Sequence, residues 1–285
     1  MSILRIESLT YGVDNLETSK RYYDDWGLQS VEDGRHGVDY ELPSGQTIRL
    51  RSAADRTLPA PIEGGSTIRE LVWGVEDAAS LDLIGAALEG YPDVEPSLGS
   101  TLHTHDPSGL GIAFAIAKPR TSPSPAAREI NHPFEAVSRV RPRRIGHAVF
   151  NVPESKLLKT SDFYMNRLQF RLSDRVTRFG DFMRCSGSVD HHNLFLLQKE
   201  DAALNHVAFE VGNFDEVIVG GKQMLGHGWT SATNLGRHIM GSNVFWYFNN
   251  PGGGLTEYFT DMDVLNDDWK PRTWDANPGF AQWMT

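Results

Sequence analysis

GRHIMGSNVFWYFNNPGGGLTEYF, residues 236–259, is the stretch from which the rest of the chain can be read. The run VFWYF at 244–248 is aromatic and β-branched and predicts a strand. NNPGGG at 249–254 predicts a turn, because proline fixes φ and the glycines tolerate positive φ. LTEYF at 255–259 predicts a second strand, so the pair makes a hairpin. Glu257 is a lone acid among apolar β-formers, and a carboxylate buried there is costly unless it is paired or bound to a cation. The hairpin therefore suggests a metal site, whose other ligands should lie elsewhere in the chain.

Working outward, 285 residues allow one large or two medium domains, either with an ample core. A composition of 40% hydrophobic and 22% charged residues is that of a globular protein. The formal net charge of −10 excludes the basic footprint that nucleic-acid binding needs. Cys185 is the single cysteine, which rules out an intrachain disulfide and fits a reducing compartment. The first residues, MSILRIESLTYG, carry early charges and no apolar core, so no secretory leader is expected. No apolar run approaches the roughly 20 residues of a membrane helix. The expectation is a cytoplasmic protein acting on small molecules, with neither nucleic acid nor membrane as partner.

Residues 118–144 carry Pro119, Pro123, Pro125, Pro133 and Pro142 among Ser, Ala and Arg, and read as a linker. It divides the chain into an N-terminal domain, 1–134, and a C-terminal domain, 135–285. The halves resemble each other. A strand at 4–13 precedes a helix from about Leu16 that carries Tyr22, Tyr23 and Trp26 near its end. A strand at 144–152 precedes a helix at about 155–167 that carries Phe163 and Tyr164. IRELVWGV at 68–75 parallels LNHVAFEV at 204–211, each before another helical stretch. DPSGLGIAF at 106–114 parallels the turn at 250–253 and the strand holding Glu257. The expected fold is α+β: four strand–helix–three-strand (βαβββ) modules, paired two to a domain. Such a module cannot cover its own sheet, so paired sheets should close over one another and enclose room for a ligand.

In the second half His147, His206 and Glu257 occupy equivalent inward strand positions of successive modules. The first half has Tyr11, Glu70 and Ile112 at roughly corresponding places, and so cannot repeat the set. A strand histidine is more often core than ligand, and ten histidines offer many triples. What singles these three out is their coincidence at homologous positions. Two histidines and one carboxylate form a facial triad with three open positions, which suits non-haem Fe(II) or Mn(II) and oxygen chemistry. His103 and His105 alternate along one face and imitate a metal pair, but no inward carboxylate is evident to complete them. The glycines at 252–254 make a turn rather than a phosphate loop, since a strand follows them.

The motifs of the second half resemble those of the type I extradiol ring-cleavage dioxygenases of the vicinal oxygen chelate superfamily. Among these, the overall layout is similar to the two-domain enzymes acting on 2,3-dihydroxybiphenyl and related catechols. The matching stretches are IGH at 145–147, Cys185 leading to His191 and His192, LNHVAF at 204–209, GRH at 236–238, and Tyr247 ten residues before Glu257. The resemblance implies two glyoxalase/dioxygenase-like domains, with His147, His206 and Glu257 holding Fe(II), and Mn(II) sharing that ligand set. It implies His192 as the acid–base residue, with His238 and Tyr247 hydrogen-bonding substrate or the oxygen-derived ligand. The partners implied are a catechol, O2 and further copies of the chain. Three residues beyond the GRH histidine, relatives often carry an acid where this chain has Gly241.

A catechol must lose a proton to chelate through both oxygens, and histidine titrates in the right range to take it. From the residues alone, His191 and His192 could both face water at a loop end; strand alternation suggests that one points inward, and the resemblance selects His192. Tyr247 taken alone reads as core filling with a satisfied hydroxyl, and Cys185 as buried packing. The tail at 261–285 places Trp269, Trp274, Phe280 and Trp283 among Asp, Asn and Pro, so it should pack back, over the site or into a subunit contact. The alternatives to a dioxygenase are a glyoxalase-like metal-dependent isomerase or lyase, or a catalytically silent binding protein of the same fold.

Overall fold

The computed structural model describes residues 1–34, 37–96, 101–119 and 139–285. Most of the expected linker, with Pro123, Pro125, Pro133 and the 134/135 boundary, lies outside the described residues. The first half contains β1 (Ile3–Val13), α1 (Leu16–Asp25), β2 (Ser30–Gly34), β3 (Gly37–Glu41), β4 (Thr47–Ser52), β5 (Thr67–Val75), α2 (Ala78–Ala87), β6 (Glu95–Pro96), β7 (Thr101–His105) and β8 (Gly111–Ile116). The second contains β9 (Arg144–Pro153), α3 (Glu154–Asp162), β10 (Arg171–Val176), β11 (Gly180–Arg184), β12 (Leu194–Lys199), β13 (Ala203–Glu210), α4 (Phe214–Gly226), β14 (Gly236–His238), β15 (Val244–Asn249) and β16 (Leu255–Thr260). Two tail strands, β17 (Arg272–Trp274) and β18 (Ala281–Met284), follow. Side-chain caps start three of the helices: Asn15, Asp77 and Asn213 each accept from a backbone N–H in the first turn.

Each half is one continuous sheet rather than two sheets closed over one another. The orders are β2-β3-β4-β1-β5-β8-β7-β6 and β17-β10-β11-β12-β9-β13-β16-β15-β14-β18. The first strands of paired modules, β1 with β5 and β9 with β13, join antiparallel at the centre. That pairing satisfies backbone groups that two separate sheets would leave as open edges. The fold is thus α+β, with the fourfold modular repeat expected from the sequence.

One face of each sheet is packed by helices, and the packing crosses between halves. Trp26, at the end of α1, stacks on Tyr258 of β16 with ring centroids 3.6 Å apart, and Tyr258 Oη donates to the Trp26 carbonyl. Tyr22 is hydrogen-bonded to Thr256. In the mirror arrangement Tyr164 donates to Asp106, and Phe170 packs edge-on against Trp73. The turn before β16 also meets the first half. Gly253 has φ +106°, and a Cβ there would lie 2.2 Å from the Ser66 carbonyl oxygen.

The tail is bound at both ends of the second sheet. β17 pairs parallel with β10 at one edge and β18 antiparallel with β14 at the other. The residues between them therefore run as a strap from edge to edge, and this position, rather than a loose surface tail, is what its aromatics serve.

Candidate metal centre and catalytic pocket

A single transverse row of the second sheet carries most of the site. His147 on β9 is opposite Ala208 on β13, Ala208 is opposite Glu257 on β16, and Glu257 is opposite Tyr247 on β15. Adjacent strands in register present these side chains on one face, and His206, two residues before Ala208, shares it. The face is the one not covered by helices. The equivalent row of the first half is Ser8, Val72, Ala113 and His103. The expected counterparts Tyr11 and Ile112 are therefore out of register, by three residues and by one. Both are buried, Tyr11 with its ring against Tyr23 of α1, so they belong to the helix-covered face.

His147, His206 and Glu257 converge. His147 Nε2 lies 3.0 Å and His206 Nε2 3.2 Å from the same Glu257 oxygen, and the two nitrogens are 3.4 Å apart. Donors ~2.1 Å from a shared cation sit about 3.0 Å apart at right angles and about 3.4 Å apart at the tetrahedral angle, so the spacing fits one ion. Their partners orient them. Asn205 Oδ1 is 2.8 Å from His206 Nδ1, which must donate to it, leaving Nε2 as a lone pair toward the centre. Asn243 Nδ2 donates to the other Glu257 oxygen at 2.8 Å. His147 Nδ1 is buried and finds no partner among the described residues. Burial works to raise the Glu257 pKa, but the two histidines outweigh it and hold the carboxyl below its ordinary range. This is the one His/Cys/Asp/Glu group of metal-binding geometry among the described residues.

The other three expected residues face the same space. His192, His238 and Tyr247 line a cavity of about 160 Å³ together with His147 and His206. The remaining wall is largely apolar: Val149, Phe182, Phe195 and Leu197 stand opposite, with Phe182 and Phe195 stacked 3.8 Å apart. The tail strap adds Asn277, Gly279 and Phe280 to the lining, so it covers the site.

His238 Nδ1 lies 3.0 Å from the Phe280 carbonyl oxygen, an acceptor, so this nitrogen carries the proton and Nε2 accepts from Tyr247 Oη at 2.9 Å. Burial lowers the His238 pKa to about 4, against the opposing pull of Glu257. Burial, reinforced by the imidazoles of His147, His191, His238 and His206, holds His192 well below the ordinary histidine range. Burial and then Glu257 push Tyr247 well above the ordinary tyrosine range. Near neutral pH the pocket thus offers two neutral imidazoles and one intact phenol.

Several functional partners were not legible in the sequence. His192 lines the cavity, while His191, equally buried, turns away from it to meet Asp174, a partner that nothing in the sequence marks. Asn243 lies in a turn, and nothing in the pattern SN before a strand marks it as a carboxylate holder. His103 does have a carboxylate beside it, contrary to the sequence expectation, because Glu70 Oε1 is 2.7 Å from its Nδ1. No third ligand joins that pair among the described residues. Cys185 is buried and unpaired, as packing requires.

Residues 144–258 match the model of the Glyoxalase/Bleomycin resistance protein/Dioxygenase superfamily. Metapyrocatechase 2 of Cupriavidus necator is 32% identical over 190 residues, covering 62% of this chain and 58% of that protein's length. The manganese-dependent 2,3-dihydroxybiphenyl 1,2-dioxygenase of Geobacillus genomosp. 3 is 23% identical over 285 residues, covering 92% of this chain and 87% of its own. Among solved structures, the Mn(II)-bound glyoxalase from Novosphingobium aromaticivorans superposes with a TM-score of 0.82 at 22% identity, over 99% of this chain and 91% of that one. The 2,3-dioxygenase LapB from Pseudomonas sp. KL28 gives 0.77 at 20% identity, over 96% and 98%. At these identities the superpositions establish a shared fold.

Proposed function

From the match of residues 144–258 to the Glyoxalase/Bleomycin resistance protein/Dioxygenase superfamily model, taken with the site geometry, we propose that the protein is an extradiol dioxygenase that opens a catechol ring beside its hydroxyl pair, incorporating both atoms of O2. The observation that carries this reading is the convergence of two kinds of group on one largely apolar cavity. Three ligand atoms lie 3.0–3.4 Å apart, and His192, His238 and Tyr247 stand around the open side of the triad. The catalytic unit is the C-terminal domain, 135–285, and the N-terminal domain, 1–134, serves as scaffold.

His147, His206 and Glu257 would hold the cation, Fe(II) or Mn(II), and the bound metal would chelate the ionised diol and mediate electron transfer to oxygen. The chain supplies the protons and the geometry. His192, kept neutral by its surroundings, takes a proton from a catechol hydroxyl and can return it to the departing oxygen as the ring opens. His238, its Nδ1 tied to Phe280, accepts the Tyr247 proton at Nε2, which holds the phenol oxygen at the rim of the triad. The phenyl wall and the tail strap exclude water, so these dipoles act at low dielectric.

A volume of about 160 Å³ is well under the roughly 300 Å³ at which pockets for larger ligands begin. It favours a single-ring catechol over a bicyclic diol. The test is anaerobic loading with Fe(II) or Mn(II), addition of catechol or 2,3-dihydroxybiphenyl, then oxygen, with the visible absorbance followed. A yellow ring-opened product that needs both metal and oxygen, forms faster from catechol, and disappears in His206→Ala is expected. Tight metal binding without turnover of any diol would overturn the reading and turn attention to an isomerase or lyase.

A further inference from the structure

On the side of His192 away from the cavity runs a line of buried polar groups that ends in the tail. His191 Nδ1 lies 3.0 Å from His192 Nδ1, and His191 Nε2 lies 2.8 Å from Asp174 Oδ2. Neither His191 nor Asp174 has any exposed surface. Asp174 also accepts from Arg272 Nε at Oδ1 and Arg272 Nη2 at Oδ2, both 2.8 Å, and from Trp274 Nε1 at Oδ1, 2.9 Å. These contacts follow from β17 pairing with β10, which sets Arg272 beside Asp174 and Trp274 beside Val176. The contact between the two histidines has room because residue 241 is glycine. A Cβ there would come 3.2 Å from His191 Nδ1 and 3.4 Å from His192 Cε1.

The direction of each hydrogen bond follows from what the groups can do. Guanidinium and indole N–H groups only donate, so the Asp174 oxygens act only as acceptors. Burial would raise its pKa, but the bonds from His191, Arg272 and Trp274 prevail and bring it to about 2, so it is ionised. His191 must then carry its proton on Nε2. A neutral imidazole has one N–H, so His191 Nδ1 presents a lone pair to His192. His192 Nδ1 must in turn carry the proton that fills this contact, which leaves His192 Nε2 bare as the ring nitrogen available to the cavity. That is the base form needed to take a proton from a diol.

We propose that Asp174 and His191 are positioning residues that set the tautomer of His192, and that the C-terminal strap serves catalysis by holding Asp174 through Arg272 and Trp274. The relay rests on the reading of His192 as the acid–base group, but its hydrogen-bond order is a property of the resting protein and can be measured without turnover.

The test is the tautomer of His192 by nitrogen-15 NMR on histidine-labelled, metal-free protein, its signals assigned with His192→Gln. The expected result is Nδ1 protonated and Nε2 bare. Asp174→Asn should reverse the line. The Asn oxygen stays where Arg272 Nε and Trp274 Nε1 donate, so the amide nitrogen takes the place of Oδ2, gives up the Arg272 Nη2 bond and turns its N–H to His191 Nε2. His191 then moves its proton to Nδ1 and His192 to Nε2. With metal restored, kcat should fall on the order of 10³-fold with KM changed less than about threefold, the signature of a wrong tautomer rather than lost binding. Trp274→Phe, which removes one donor and keeps the ring packing, should lower kcat about threefold to tenfold with metal content unchanged.

A wild-type His192 protonated on Nε2, or the same tautomer in Asp174→Asn, would overturn the relay even if the wild type cleaves catechol. The expected tautomer switch in a protein that turns over no diol would leave the relay standing and remove the dioxygenase reading. Loss of bound metal or a large rise in KM in Asp174→Asn would make the role structural and overturn the proposal too. If Asp174→Asn does not fold, the wild-type tautomer and Trp274→Phe still decide the matter.

Discussion

The row Ser8, Val72, Ala113, His103 in the first half and the row His147, Ala208, Glu257, Tyr247 in the second cross equivalent strands in equivalent register. The next row repeats the contrast. Thr10, Arg49 and Asp39 stand where the second half has Val149, Phe195 and Phe182. In the first half this face is filled by polar pairs. Arg49 donates to Ser8, Asp39 pairs with Arg51, and Glu70 meets a His103 whose side chain is 40% exposed. In the second half the same face is a phenyl stack around converging lone pairs. The difference teaches that the backbone supplies a face, and the dielectric of that face decides what the side chains can do. Exposed ion pairs are worth little and are readily solvated, whereas a carboxylate among buried imidazoles needs a cation.

The largest test of this contrast removes a triad member from the second half and the residue at the matching place from the first. His206→Ala should abolish metal binding and turnover together, checked by metal analysis of the purified variant. Glu70→Gln, at the matching place in the first half, should leave metal content and turnover unchanged, and a loss of either would mean that the first half takes part in the site.

A smaller effect is expected one shell further out. Asn243→Ala removes the donor that orients Glu257 without touching the cation position. Metal affinity should fall about 10–100-fold, the usual cost of losing a partner that aims a ligand, while kcat at saturating metal changes little. Competition with a chelator measures it. Unchanged affinity would show that Glu257 is held by the two histidines alone.

How much of this could be read beforehand follows from the range of the interactions involved. The modules were legible because strand runs, helix stretches and the Asn/Asp–Pro turns at 250 and 106 recur at matching intervals, and those signals are local. Glu257 stood out because a lone acid in an apolar strand conflicts with its own neighbourhood. Register was not legible: Tyr11 is three residues from Ser8, and only the ladder between β1 and β5 separates them. His191 and Asp174 were missed for a related reason. Their roles depend on Arg272 and Trp274, about a hundred residues further along, in a three-residue strand that exists only because β10 offers it an edge.

Next in size is the wall. Phe182→Leu removes one ring of the stack that replaces the first half's Arg49–Asp39 pair. A stacked aromatic contributes about 1 kcal/mol beyond its buried area. KM for the diol should therefore rise about fivefold to tenfold with kcat within about twofold. A fall in kcat with KM constant would place Phe182 against the acid–base histidine rather than the substrate. The contact exists, with the Phe182 and His192 ring centroids 5.3 Å apart.

The smallest effect concerns the paired turns at which the halves cross. Asn250 donates to Tyr23 Oη and accepts from the Gly252 N–H. Its counterpart Asp106 accepts from Tyr164 Oη and, at the other oxygen, from Ser108, Gly109 and Leu110. Burial raises the Asp106 pKa above its ordinary value, although those hydrogen bonds oppose the rise. The folded protein therefore holds this proton to higher pH than the unfolded chain does. Between the ordinary carboxylate pKa and the raised one the native state binds more protons, so stability falls as pH rises through that window and stays lowered above it. Asp106→Asn copies the Asn250 arrangement, with Oδ1 kept as acceptor and Nδ2 donating to Tyr164. It should remove that pH dependence and change stability at neutral pH by less than about 1 kcal/mol. Denaturant midpoints across the acid range for the two proteins measure it. A variant that keeps its stability in acid and loses it only at higher pH, where Asp106 would be ionised, would show that the carboxylate charge holds the turn, and that the two crossings, alike in backbone, are held by different forces.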